Sequence, residues 1–529
     1  MSNMRISGLS SGMDIDQMVE KLMQAQRTKV DKIKQTRQQV EWQRTDYQTV
    51  NNSLRTLRDL TYNMKLQGTY LAKKAASSNE SAVSATASVT ATPGSYTVSV
   101  ANLAQGLTRG SQNAVFEESN PDGTTKTLSA QFATLPAGNI TFTLAGKLGT
   151  DGITRNSHAF TIDTTTTTIN TLASEINKYS ESLGITASYD SVNNRFFLTT
   201  NGTGSQYGIG VSADSDSLLS SGTGLPADSK LQLNIQTGAA AQLGQNAQYS
   251  FGDASNMTNS TNTVLVNGIT LNLKQGGGVS STITVSRDVD TVYNSIKTFI
   301  EKYNTTIDLV NKEISEEKYR DYLPLTDAQK EQLSEKQQEQ WEERAKSGML
   351  RNDSYLNGLI NRVRSATSTI VSGIEAVNVD GKVVTHSSLA SIGIVTGYYT
   401  EGGKLYLNND GADLKRAIEA DPDGVMKLFN NNSAVSSEKG IAQRLYDVLD
   451  KGMDDIIDTA GAGSVTSLRD NSVFGKKLRY LDNQVAEWDK RLTQMEERYY
   501  NQFTAMENAL NRLNSQSAWL SQQFGTAQK

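Results

Sequence analysis

The chain has 529 residues, a hydrophobic share of 36% and a formal net charge of −5. That length exceeds one hydrophobic core and implies several domains, and the acidic balance argues against a general nucleic-acid binder, which needs a basic face to displace counterions. Cysteine is absent, which excludes disulfides, thiolate nucleophiles and cysteine-zinc sites, and no apolar run approaches the ~18 residues of a membrane-spanning helix.

Residues 1–15 lack the apolar core of a secretory signal. The lead-in Met1 to Met13, with Ser, Asn and Gly, suits export by a route that reads an unstructured end; a cytoplasmic location is the alternative. Asp14 is placed as a helix N-cap, with Gln17 three residues on and Met13 and Met18 at the staple positions. The helix is predicted to run to about Leu66, where Gly68 stops it. Inside it Ile33, Val40, Tyr47 and Leu54 recur every seventh residue, and Val50, Leu57 and Met64 take the second seam position.

Composition changes after Lys74. From Ala75 to Ser286, Ser, Thr, Gly, Ala and Asn dominate. Segments such as Ser95 to Val100 and Asn139 to Leu144 alternate with period two, the mark of half-buried strands. Ile169, Leu172, Ile176 and Tyr179 fall at helical spacing, and 189–196 reads as a hairpin turn between strands 185–189 and 196–200. The threonine run 164–168 is low in complexity, yet threonine serves well in strands and caps, so it is read as structured.

At Val289 the helical pattern resumes through Val292, Ile296, Phe299, Tyr303, Ile307, Val310 and Ile314, which makes the β region an insertion between helices that pack together. The charged stretch 315–348 reads as a helical excursion, either a solvated face or a partner surface. A short helix follows Asp353, then strands near 392–395 and 404–407 and a helix near 413–418 that Asp421-Pro422 ends. The last segment carries Leu478, Leu481, Val485, Trp488, Leu492, Met495, Tyr499, Phe503, Met506, Leu510 and Leu513. Their steps alternate three and four, the coiled-coil spacing, apart from a stutter at Tyr499 to Phe503; the seam is roughly 54 Å long. With Ile33, Val40, Tyr47 and Leu54 these residues form the expected oligomer and partner seam.

The predicted fold class is α+β multidomain, with helical coiled-coil terminal legs and nested, inserted β-rich domains. The expected division is 1–45 with 478–529 as the terminal leg, and 46–72 with 289–477 as a helical domain with small β elements. Residues 73–110 with 225–288 form an inserted β domain, and 111–224 a second one.

Few motifs offer chemistry. Gly8-Leu9-Ser10-Ser11-Gly12 matches the G-x-S-x-G elbow, but too few residues precede it to supply the strand that elbow needs. Gly202-Thr203-Gly204 lacks the third dinucleotide glycine, and Gly381-Lys382 has Ala376 where a phosphate loop needs glycine. Asn408-Asn409-Asp410-Gly411 hints at a calcium loop without its leading Asp or its closing Glu, and reads as a turn. The two histidines, His158 and His386, more than two hundred residues apart, are all that a histidine metal site or a triad could draw on, and neither is expected. Trp42, Tyr47, Trp488, Tyr499 and Phe503 sit at helical spacing and read as core or interface. No cofactor and no enzymatic activity are expected.

Ile6 to Asp16 followed by a long helix resembles the start of the bacterial flagellar filament cap proteins, the hook-associated protein 2 family. The block Leu389 to Ile394, then Gly403 to Leu407, Leu414, Ala417-Ile418, Asp421-Pro422 and Val425 to Phe429, is similar to that family's C-terminal region, as are the heptads ending in Leu510 to Gln516 with Leu520. The segment 169–200 looks like the small repeat of flagellar axial proteins. The 315–348 segment departs from the family pattern by its length. The resemblance implies export through the flagellar channel, a location at the filament tip, and a homo-oligomeric ring of about five subunits. It further implies that the chain retains flagellin and promotes its folding and polymerisation. An export chaperone at the C-terminus and host glycans are further partners the resemblance leaves open. Rival readings are a secreted glycan-binding adhesin, or another axial protein such as flagellin or a hook–filament junction protein.

Overall fold

The computed structural model describes residues 14–220, 230–379, 381–398, 401–462 and 470–525; the lead-in to Met13 with its Gly8–Gly12 motif lies outside them. Contacts divide the chain into two compact units, residues 1–70 with 289–529, and residues 71–288.

The first element is α1 (Ile15–Lys65), capped as anticipated by the Asp14 carboxylate, which accepts from the Gln17 N–H at 3.0 Å. It ends at Leu66, and a single turn over Gln67–Thr69 follows. Val40, Tyr47, Val50, Leu54, Leu57 and Met64 are buried along it.

The inserted unit is built of antiparallel strands. In chain order these are β1 (Lys73–Ser77), β2 (Val83–Ala87), β3 (Gly94–Asn102) and β4 (Thr108–Gly110). A turn of helix, α2 (Leu128–Gln131), precedes β5 (Asn139–Leu148) and β6 (Arg155–Asp163). Then come α3 (Ile169–Asn177), α4 (Ser180–Leu183), β7 (Ile185–Asp190), β8 (Arg195–Thr200), β9 (Gly208–Asp214) and β10 (Gln242–Leu243). The return path holds β11 (Ala247–Phe251), β12 (Ala254–Asn259), β13 (Thr263–Val266), β14 (Ile269–Leu273) and β15 (Val279–Arg287).

Two separate cores sit in this unit. In one, the sheet β1-β15-β3-β11-β12 faces the sheet β13-β14-β2, with Val98, Val100, Ile283 and Val285 against Val83, Ile269 and Leu271. The alternation in the sequence is what lets each strand give one face to this layer. Asn267 and Gly268 take positive φ at the β13–β14 turn, the conformation a tight hairpin of matching twist requires. In the other, the sheets β10-β9-β5-β6 and β4-β8-β7 and the helix α3 enclose Phe142, Leu144, Phe160, Leu172, Ile176, Phe196 and Leu198. Leu231, Leu233 and Ile235 also bury in this second core and β10 pairs with β9, so by packing the chain leaves it after Leu243 rather than near 225.

The helix and hairpin expected over 169–200 are present, with one difference: Tyr179 breaks the helix into α3 and α4. The threonine run is structured. Thr164 is fully buried and its hydroxyl donates to the Pro136 carbonyl at 2.7 Å, and Thr168 forms a capping box with Thr171.

The chain re-enters the helical unit as α5 (Val289–Ser315). The excursion folds as α6 (Asp327–Glu331) and α7 (Glu335–Lys346), each opened by a capping box. It is pinned to α1: Gln35 donates to the Pro324 carbonyl at 2.7 Å and Gln43 to the Met349 carbonyl at 3.1 Å. Then follow α8 (Ser354–Ser368), the ribbons β16 (Val377–Val379) with β17 (Lys382–Val384) and β18 (Ile394–Thr396) with β19 (Leu405–Leu407), and α9 (Ala412–Ala420). Asp421-Pro422 does more than end α9. Asp421 caps α10 (Pro422–Asn430), with the proline in its first turn where no N–H is needed. The helix α11 (Ile441–Ala460), absent from the sequence reading, packs along α1, and α12 (Val473–Gly525) closes the chain.

The centre of this unit is aromatic. Fully buried Tyr303 lies 6.2 Å from Phe299, which meets Phe429 at 6.5 Å, and Phe429 stacks on Tyr70 at 5.8 Å. Asn304 on α5 mimics a neighbouring strand. Its amide donates to the Leu405 carbonyl at 2.7 Å and accepts from the Leu405 N–H at 2.8 Å, so β19 is held to the helix by both backbone groups.

Candidate functional site: the terminal helix pair

The N-terminal half of α1 and the first half of α12 run antiparallel. Arg37 pairs with Asp482, and the Tyr500 hydroxyl donates to Asp16 at 3.0 Å. Between those clamps the two stripes interlock. Ile15, Val19, Met23, Val30 and Leu492 are buried together, with Val485, Trp488, Met495, Tyr499 and Phe503 partly covered around them. A second cluster joins Val40 to Leu478 and Leu481, with Ile33 and Phe474 at its edge. Lys29 lies over the Trp488 ring at 5.4 Å, keeping its charge in water while its stem covers the seam.

The pairing with α12 ends where Tyr47 meets Phe474 at 5.9 Å. Beyond that, the heptad residues of α1 serve a different core. Leu54 is buried, and its neighbours Ser53 and Arg58 reach Thr306 of α5 at 2.9 Å and Asp450 of α11 at 3.4 Å. One sequence period therefore feeds two sets of partners. The inward positions Ile15, Val19 and Met23 are absent from the sequence reading; their recurrence at a step of four is the signal that marks them.

The other end of α12 is different. Leu510 is half-buried and Glu507 buried, while Met506 is 37% exposed and Leu513 59%, so the apolar stripe becomes more open beyond Phe503. Trp519 and Leu520 are exposed as well, and Leu520 continues the seven-residue step set by Met506 and Leu513.

Polar groups brace the middle of α1. The Tyr47 hydroxyl donates to Asp353 at 2.6 Å, and burial together with that carboxylate pushes its ionisation to higher pH. Arg44 pairs with Asp470 at 2.9 Å and donates to the Ala460 carbonyl at 3.0 Å. The Asp46 carboxyl is pushed up to about 7, first by burial and then by the charges of Glu313 and Glu316.

The groups weighed for chemistry are scattered. His158 stacks on Tyr179 at 3.5 Å in the inserted unit, while His386 is buried in the helical unit with its Nε2 3.9 Å from Asp421. Asn408–Gly411 is a turn with Asn409, Asp410 and Gly411 at positive φ, leading into α9. Among the described residues no three side chains gather as metal ligands, and no helix is long and apolar enough to cross a membrane. What the helix pair leaves exposed is an apolar stripe of Met506, Leu513, Trp519 and Leu520.

Known proteins match the chain along its whole length. The model of the flagellar hook-associated protein 2 C-terminus matches residues 244–515, that of its N-terminus residues 11–106, and the flagellin hook IN motif residues 139–202. The flagellar hook-associated protein 2 of Halalkalibacterium halodurans is 32% identical over 99% of this chain and 100% of its own length. That of Thermotoga maritima is 24% identical over 98% of this chain and 95% of its own. A crystal structure of the flagellar cap protein from Escherichia coli covers 83% of this chain and 99% of its own at a TM-score of 0.53 and 21% identity, a likeness of fold. The matches run in order through both helical ends and the inserted β unit, and the chain belongs to the flagellar hook-associated protein 2 family.

Proposed function

We propose that this chain is a structural subunit of the cap at the distal end of the bacterial flagellar filament, where it retains exported flagellin and promotes its folding and polymerisation. The full-length family match carries this reading. The terminal helix pair supports it, because α12 exposes Met506, Leu513, Trp519 and Leu520, the first of them at 37%. A stripe of that kind fits a partner helix at the growing end of a filament. The work is mechanical: shape and shielding, with no cofactor and no catalytic step.

The same reading gives the domain roles. The α1–α12 pair is the leg, and the two cores of the inserted unit are two β domains of a subunit in a homo-oligomeric ring of about five, the number the family resemblance implies. The decisive experiment is complementation of a cap-deficient strain. Filament length and flagellin in the medium would be measured with electron microscopy of the tips. Restored filaments bearing a ring at the tip are expected; a chain that is secreted yet leaves flagellin unpolymerised in the medium contradicts the assignment.

A further inference from the structure

A basic groove lies between α8 and α11, of ≈ 610 Å³, remote in sequence from the terminal seam. Arg362 and Arg444 face it with Lys439, against the single carboxylate of Asp447, which pairs with Lys439 at 3.0 Å. Ser365, Thr369, Ser436 and Ser437 supply hydroxyls. In a chain of net charge −5 this is a local excess of positive charge. Arg444 is the informative member. One of its terminal nitrogens donates to the Thr369 carbonyl at 2.8 Å, but its Nε is buried with no acceptor. The bond to Thr369 fixes the guanidinium in the groove, and its charge there suits an incoming carboxylate.

The same chain carries a matching surface. Residues 316–348 hold nine carboxylates against six cations. On α7, Glu335, Glu339 and Glu343 recur every fourth residue, all three exposed and none in an ion pair among the described residues. They form an acidic stripe about 12 Å long, while the α8 side of the groove, from Arg362 to Thr369, spans about 10 Å. The capping boxes of α6 and α7 and the hydrogen bonds to α1 hold that stripe in place, so little ordering is needed when it docks.

The geometry points to a contact between copies: the Glu335–Glu339–Glu343 stripe of one subunit docks in the Arg362–Lys439–Arg444 groove of the next. This rests on the ring reading above and names the surfaces that close it. The contact is heterologous, one patch against a different patch, as a ring requires. It also fixes an orientation. The excursion sits beside Trp42 of α1, through Lys346, while α11 reaches Lys65 at its Tyr446. Those levels are about 35 Å apart along α1, so the contact closes only about an axis inclined to that helix.

The test uses the full chain at micromolar concentration, with mass followed by analytical ultracentrifugation in low and high salt. Wild type is expected to assemble, and more weakly as salt rises. Glu335→Lys with Glu339→Lys and Glu343→Lys, all on an exposed helix face, should weaken assembly at least tenfold. Arg362→Glu with Lys439→Glu should do the same without touching the Arg444 bond to α8. The combined charge swap should restore it, an outcome misfolding cannot produce. Assembly that survives either set unchanged and is indifferent to salt overturns this interface while leaving the ring reading intact. A wild-type chain that stays monomeric at every concentration, and does not assemble on filament ends, overturns both.

Discussion

Leu492 offers a direct test of the helix pair, because it is 8% exposed and the buried member contributed by α12 to the cluster with Ile15, Val19, Met23 and Val30. Leu492→Ala removes most of a buried side chain at the edge of a cluster and should cost about 2 kcal/mol, the lower end for such truncations. Leu492→Asp loses the same packing and places an unpaired carboxylate among apolar groups, for about 4 kcal/mol together. Opening of the pair then becomes easier by about three powers of ten. Amide hydrogen exchange reads this locally. Amides in 15–30 and 485–500 should lose about a thousandfold of protection, while those of β5 in the separate inserted core stay unchanged. The companion variant is Leu513→Asp. At 59% exposure it should alter stability by less than about 0.5 kcal/mol, yet abolish capping if the open stripe faces a partner. Unchanged protection in Leu492→Asp would refute the packed seam, and full filaments from Leu513→Asp would refute a partner on the stripe.

Other expectations are narrower. Asp46 is held up to about 7 by burial and by Glu313 and Glu316, so the folded chain binds its proton more tightly than the unfolded chain, whose aspartate titrates near 3.8. Stability of the helical unit should therefore fall as pH rises through that window, and Asp46→Asn should flatten the slope in urea titrations between about pH 4 and 7. Asn304→Ala strips both hydrogen bonds from Leu405 and should cost about 1–3 kcal/mol, seen as a lower urea midpoint and faster exchange at that amide. Gly146→Ala would put a methyl carbon 1.9 Å from the Leu183 carbonyl oxygen, so β5 and α4 must separate; a loss of about 3 kcal/mol confined to the inserted unit is expected in thermal unfolding of the full chain.

Periodicity made much of the fold legible. The heptads drew α1 and α12, and the alternation in Asn139 to Leu144 drew the inward Ile140, Phe142 and Leu144 of β5. What stayed hidden was set by tertiary contact. Ile441, Leu445, Leu449 and Ile456 follow helical spacing in α11, but Gly452 interrupts the run. The structure shows what the glycine leaves room for: a Cβ would lie 2.7 Å from a Leu359 methyl group of α8, which would have to shift. Pro422 ends α9 as expected but also opens α10, since a helix breaker is also a helix starter, and the Asp421 carboxylate, accepting from the Gly424 N–H at 2.9 Å, caps the second helix. How far the terminal seam is covered cannot be read from spacing at all. Phe503 and Met506 look alike in a heptad, yet Phe503 is partly covered in the cluster with α1 while Met506 is 37% exposed.

The antiparallel pairing of the two ends also governs when the molecule can finish folding. Tyr500 and Asp16 are 484 residues apart, and Arg37 and Asp482 are 445 apart. The inserted unit, by contrast, is one continuous stretch, residues 71–288. A chain delivered end first, from either terminus, can therefore complete its β cores while one half of the leg still lacks its mate. The apolar stripe of the first helix to emerge stays uncovered until the opposite end arrives. Closure of the helix pair thus has to wait until delivery is complete, and a truncated product would keep an uncovered apolar helix.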